Sequence, residues 1–364
     1  MQLDNVLSNS PELLTGSTFL SDHINFYLIY LAVVGSDAVI RFASVIYARN
    51  IAKMVIILLT LLGKFRSSIV PVIQKRKKSC WAFLLTAIAL NVLSLFNGLQ
   101  SIFVLNFFRP EPFLDQYMYT LIPSNECFIR VLFFCLDMTT TMSNSYIPLF
   151  VIAFGLVLLE VHDRCIENFQ RIIMKNEVLS KSCSVSINGE PLEPSVKREK
   201  EFLEEFKKDF GALTEAFRVY LEVSGIYLLA LMFQTTSYGI RTVSLLWWKN
   251  PSTAFNETDG YFGGIVQIAS GIIMANFGSY FRNTIDLLQQ DFHNFLVCSE
   301  IIAEERNIRK TARWLLSWKW KLTALDYFEI DRSLILSISG TVLTYFIFIF
   351  QLKSSEQQHL PAVG

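Results

Sequence analysis

Towards the C-terminal end of the chain, Ser333, Ser337, Gly340 or Thr341, Thr344 and Gln351 recur at spacings of three, four and seven. On an α-helix these spacings gather the residues on one face, while Leu, Ile, Val and Phe occupy the others. From Asp331 to Gln351 such a helix rises about 30 Å, the depth of a hydrocarbon core. Charges flank the stretch and none lies within it. Lipid cannot satisfy hydroxyl and amide groups, so the stripe must face protein or water. One use is packing, because Ser, Gly and Thr let helices approach closely and bond across the contact. The other is a pore wall along Ser337, Thr341, Thr344 and Gln351, with Ile347 or Phe348 as an apolar constriction that gates by dewetting. One helix cannot line a pore, so this use requires several copies around an axis.

Other chemistry is sparse. The four histidines, His23, His162, His293 and His359, stand apart without ligand spacing, so no metal or cofactor is expected. There is no Gly-rich phosphate loop, and Gly263-Gly264 opens an apolar segment, where packing or a bend explains it. No set of residues suggests an enzyme. The six cysteines, Cys80, Cys127, Cys135, Cys165, Cys183 and Cys298, show no redox spacing and predict no disulfide framework.

The elements that carry the stripe belong to the membrane. The chain of 364 residues is 52% hydrophobic and 18% charged, with a mean hydropathy of +0.38. Its net charge of +0 gives no basic surplus for nucleic acid. Residues 1–23 lack Lys and Arg and do not make a signal peptide, so the first span is expected to target the chain. Hydropathy predicts an all-α protein with seven transmembrane helices, at 24–46, 51–70, 81–108, 128–159, 213–247, 261–280 and 333–350. Asp37, Arg41, Arg49 and Lys53 interrupt the first two, and Asp37 and Arg41 are spaced to pair on one helix face. Several spans exceed the ~20 residues needed to cross, which predicts tilt or projection beyond the bilayer.

Lys75-Arg76-Lys77-Lys78 and the basic residues of the fourth–fifth and sixth–seventh connections share one side. Positive-inside places the N-terminus in the cytoplasm and the C-terminus outside. Asn256-Glu257-Thr258, a glycosylation acceptor, then falls in an outer loop. That orientation is opposite to a G-protein-coupled receptor's. Asp163-Arg164-Cys165 follows the fourth span, not the third, and the last span lacks Asn-Pro-x-x-Tyr. The cytoplasmic connections carry apolar stripes at helical spacing: Cys165, Phe169, Ile172 and Ile173; Phe202, Phe206, Phe210, Leu213 and Phe217; Leu288, Phe292, Phe295 and Ser299 with Ile302. Their mixed Glu and Lys faces predict that the stripes pack together and do not lie on lipid. The Ser-rich stretch 180–195 reads as a loop within one domain.

Thr344-Tyr345, five apolar residues and Gln351 resemble the Thr-Tyr-x5-Gln-Phe signature that ends insect gustatory receptors, with Leu352 where Phe is usual. Phe328-Glu329-Ile330-Asp331-Arg332-Ser333-Leu334 is similar to the stretch that leads into it. With the seven-span layout, the resemblance covers most of the chain. It implies a tetrameric ligand-gated cation channel, related to insect odorant receptors, whose last helix lines the pore. It also implies that helix extensions beneath the membrane form the inter-subunit anchor. The single 1–364 domain then divides into ligand-binding helices (24–282) and a cytoplasmic helix plus pore helix (283–352). The partners implied are a small-molecule tastant, permeating cations, the bilayer, and identical or related subunits, in the plasma membrane of chemosensory neurons.

Candidate ligand residues lie in the outer halves of the helices: Phe103, Asn106 and Phe107; Phe133, Phe134 and Asp137; Tyr238 and Arg241; Tyr261 and Gln267. Aromatics with a few polar groups suit a small organic ligand. Tyr and Trp also gather at membrane interfaces without any ligand. Asp137 differs, since a carboxylate within a span must face a cavity, a pore or a partner. A metabotropic seven-helix receptor, a transporter, and an odorant- or light-sensing relative are the alternatives.

Overall fold

The structure, a computed structural model, describes residues 19–65, 74–108, 127–183, 193–247, 254–298 and 306–358, with side chains placed over a narrower set. Seven helices and a two-strand ladder follow in order. They are α1 (Phe19–Phe65), α2 (Gln74–Phe108), α3 (Cys127–Cys183), α4 (Glu193–Trp247), α5 (Ala254–Cys298), α6 (Arg306–Ser317), β1 (Thr323–Ala324), β2 (Phe328–Glu329) and α7 (Ser333–Gln358).

The chain is an all-α, multi-pass membrane protein, but the first two predicted spans are corrected. They form the single 47-residue helix α1. No Pro or Gly stands between Arg49 and Lys53 to end a helix, and Asp37, Arg41 and Lys53 are paired. Arg41 Nε lies 2.8 Å from Asp37 Oδ2, four residues away on the same helix as expected. Lys53 Nζ lies 3.7 Å from Glu215 on α4. A helix tolerates charges that find partners, so the polar interruption is not a turn. The cytoplasmic N-terminus expected from loop charges falls on residues outside those described.

α4 is the element around which the others assemble. It is the most deeply buried apolar helix, whereas α1 and α2 expose most of their apolar side chains, as lipid-facing helices do. α1 runs antiparallel to it. Ser44 Oγ meets Tyr227 Oη at 2.7 Å, and near the Phe65 end Lys64 Nζ meets Asp209 at 2.5 Å and Glu205 at 2.7 Å. α3 and α4, at 57 and 55 residues, are about 80 Å long and exceed any bilayer.

Their extensions pack together as the stripes predict. Phe169 of α3 meets Phe206 of α4 at 4.6 Å and Phe292 of α5 at 5.8 Å between ring centres. Cys165, Phe210, Leu213, Phe217 and Leu288 are buried in the same cluster, with Ile308, Ala312 and Leu315 of α6. Phe202 is the exception, 47% exposed on the outer face of α4. His162 is enclosed here against Trp320, 4.7 Å between ring centres, and its Nδ1 has no hydrogen-bond partner. Burial holds this imidazole down at about 4, from an ordinary 6.5.

Candidate functional site: an exposed polar stripe and a buried polar layer

α7 begins with a cap that its sequence encodes. Asp331 accepts from the Ser333 amide at 2.9 Å and the Ser333 hydroxyl at 2.5 Å. The Ser333 hydroxyl, with two amides, holds the Asp331 carboxyl below its ordinary range. From there the helix has two distinct sides. Leu334 is buried, Ile338 packs on the core, and Val342 rests against Gly239 of α4, where a Cβ would come within 3.0 Å. Ser337, Gly340, Thr341, Thr344, Phe348 and Gln351 lie along one flank of the packed side and are exposed, with Leu336, Leu343, Ile347 and Phe350 farthest from it. Tyr345, next in sequence to Thr344, is half-buried. Ile347 is 47% and Phe348 53% exposed.

Among the described residues, the polar stripe is exposed. The hydroxyls meet their own donor requirement by bonding back one turn. Thr341 donates to the Ser337 carbonyl at 2.9 Å and Thr344 to the Gly340 carbonyl at 2.8 Å. This leaves the oxygen lone pairs facing outward, a surface that water or cations can use. Nothing lies within 4 Å of a Cβ built on Gly340.

A second polar region lies inside the helix bundle. Gln267 Nε2 of α5 donates to Gln234 Oε1 of α4 at 3.2 Å. Thr235, Ser237 and Ser270 are buried around this pair. Asp37 lies seven residues along α1 from Ser44, and Gln234 seven along α4 from Tyr227. The Ser44–Tyr227 bond and the antiparallel register thus put buried Asp37 at the depth of Gln234. Below the layer, Tyr146 and Phe150 of α3 close around Tyr227, with ring centres 6.1 and 5.5 Å away. α5 approaches α4 through small residues: a Cβ on Gly271 would come 2.8 Å from Thr235, and one on Gly264 would overlap Thr242. Polar groups inside a membrane bundle are satisfied by one another, as this pair is.

Of the expected ligand residues, Gln267 belongs to this layer, and Tyr238 and Arg241 lie half-buried farther along α4. Phe103, Asn106 and Phe107 fall on α2, Phe133, Phe134 and Asp137 on α3, and Tyr261 on α5, with side chains outside those described. Asn256, expected in an outer loop, falls in the first turn of α5. Gln234, Thr235, Tyr146 and the Ser44–Tyr227 pair were not singled out from sequence. A Gln inside the apolar run Ala230–Gln234 was the one available signal. Among the described residues, no three His, Cys, Asp or Glu side chains converge.

Comparison with solved structures gives this arrangement a counterpart. The chain has the fold of an insect olfactory receptor. It is similar to OR5 of Machilis hrabei with a TM-score of 0.58 at 14% identity, over 93% of this chain and 83% of that one. Against OR5 in complex with eugenol the TM-score is 0.52 at 15% identity, over 88% and 79%. No family model and no curated protein matches the sequence. In the olfactory-receptor fold, the Phe328–Leu334 stretch singled out above supplies β2, the cap and the first residues of the last helix.

Proposed function

We propose that the chain is a subunit of a chemoreceptor channel: a gustatory receptor whose seventh helices line a non-selective cation path opened by a small-molecule tastant. The observation that carries this reading is the exposed, self-satisfied polar stripe of α7, flanking the face packed on α4. A stripe of this kind in a membrane needs a symmetric ring of copies, or related subunits, to enclose it. The Thr344-Tyr345…Gln351 resemblance supports the gustatory assignment. OR5 in complex with eugenol supports a small organic ligand, with an odorant-type stimulus as the second reading.

In this mechanism residues 24–282 hold the ligand, and the Gln234–Gln267 layer and the Tyr146–Tyr227 floor are the polar and aromatic surfaces offered to it. The ligand favours the open state by binding it more tightly. Residues 283–352 supply the cytoplasmic helix and the pore helix, with Ile347 and Phe348 as the constriction and Gln351 at the outer mouth. The site of action is the plasma membrane of a chemosensory neuron.

The test is permeation. Gln351→Leu removes the amide from the mouth and is expected to shift relative cation permeability or blocker affinity severalfold. Unchanged permeation would place Gln351 outside the path. Coupling to a G protein, the metabotropic alternative, predicts that currents require the nucleotide cycle and are abolished by a non-hydrolysable GDP analogue.

A further inference from the structure

The connection that delivers α7 contains an unusual turn. β1 and β2 pair with Thr323 opposite Glu329 and Ala324 opposite Phe328. Leu325 and Asp326 between them both have positive φ, 51° and 60°. L-residues with side chains adopt this region at a cost, and Asn-Gly is the usual choice for such a pair. The turn is held by the Tyr327 amide on the Ala324 carbonyl at 3.0 Å and by Thr323 Oγ1 on Asp326 Oδ1 at 2.9 Å.

The hairpin is seated between two helices. A Cβ on Gly225 of α4 would lie 2.9 Å from the Leu325 nitrogen, and one on Gly278 of α5 would overlap the Ile330 carbonyl. Arg282 Nη1 of α5 donates to Glu329 at 2.8 Å, and Lys321 pairs with the same carboxylate. The Arg332 amide donates to Ser279 Oγ, and Arg332 Nε to Asn276 Oδ1, both at 3.1 Å. All the α5 contacts fall between Asn276 and Arg282, and α7 starts one residue beyond Arg332.

We infer that this hairpin is the positioning element of the last helix: its seat on α5 sets the balance between closed and open states. The inference rests on the channel reading and adds the residues that link the ligand layer to the pore helix. Gly264, Gly271 and Gly278 lie seven apart on one face of α5. Gly264 meets α4 at Thr242, Gly271 meets it at Thr235 of the polar layer and Gly278 meets the hairpin, so one continuous helix touches both layer and hairpin. A displacement of α5 at Gln267 is carried to Asn276 and Arg282, and through them to the foot of α7. The strained turn persists because both seats over-determine it. Asn276, Arg282, Glu329 and Arg332 act through α7 and do not line the path.

The test uses the full chain in planar lipid bilayers, recording spontaneous openings without added ligand. Asn276→Ala and Arg282→Ala each remove one hold and are expected to change open probability roughly tenfold, the scale of one charge-assisted hydrogen bond. Unitary conductance and ion selectivity should not move. Asn276→Asp keeps an acceptor for Arg332 and gives it a charge, so it is expected to shift open probability in the direction opposite to Asn276→Ala; Asn276 is half-buried at the edge of the core, so neither variant opens a cavity inside it. Open probability unchanged in both alanine variants overturns the inference, as does a change in unitary conductance. An unaltered chain that never opens overturns the channel reading itself, a result distinct from channels that open alike in every variant.

Discussion

Thr344 and Tyr345 are chain neighbours with opposite surroundings, one exposed on the stripe and one half-buried against the bundle. A hydroxyl bonded back to its own helix tolerates either water or protein, which is why spacing alone left both packing and pore open for that residue. Leu334 is buried and Ile338 and Val342 rest against the bundle, while the stripe is exposed among the described residues. His162 shows the reverse case. Its sequence context suggested nothing, and only the packed structure encloses its ring. A neutral imidazole held at about 4 against an ordinary 6.5 means that the folded state binds fewer protons than the unfolded one between these values. Stability is therefore full above about pH 6.5 and falls as pH drops towards 4. Between pH 7 and 5 the unaltered chain should lose about 2 kcal/mol that His162→Phe retains. Thermal unfolding of the detergent-purified pair at both pH values checks this, and parallel losses would show that His162 does not titrate in the unfolding step.

At the scale of elements, the sequence pattern located most helices and misjudged one junction. Apolar period and length show where a helix lies; they do not show whether a charge ends it. Asp37, Arg41 and Lys53 looked like boundaries because their partners, or the depth at which they sit, come from the register with α4. The hairpin was illegible for a related reason: Leu325-Asp326 has Leu at a left-handed position and no Gly after Asp, and its conformation is supported by close contacts at Gly225 and Gly278, far away in sequence. The continuity of α1 has a direct consequence. Asn50→Pro removes an amide in mid-helix and clashes with the preceding turn, at a cost of about 3 kcal/mol. Surface expression and thermal stability should both fall. A turn between two separate spans would accept proline there, so normal expression and stability of Asn50→Pro would restore the two-span layout.

At the scale of the whole molecule, the proposed channel requires the exposed residues of α7 to face different surroundings. Gly340 and Thr344 lie on the polar stripe, whereas Leu336 lies on an apolar face and is 76% exposed. Lipid accepts Leu336 and rejects the stripe, so in the proposed ring the stripe turns towards the axis. A cysteine at Gly340 meets no neighbour within the chain and should not disturb the fold. With the six native cysteines replaced, Gly340→Cys and Thr344→Cys are expected to form dimers of chains under mild oxidation in native membranes. Leu336→Cys should stay mostly monomeric, because its nearest neighbours are lipid. The measurement is a non-reducing gel after copper-phenanthroline treatment, with reduction as the control. Cross-linking at Leu336 but not at Gly340 or Thr344 would turn the helix around and send the polar stripe to some other partner. Cross-linking along the stripe alone would show that copies of this chain meet where the conduction path must run.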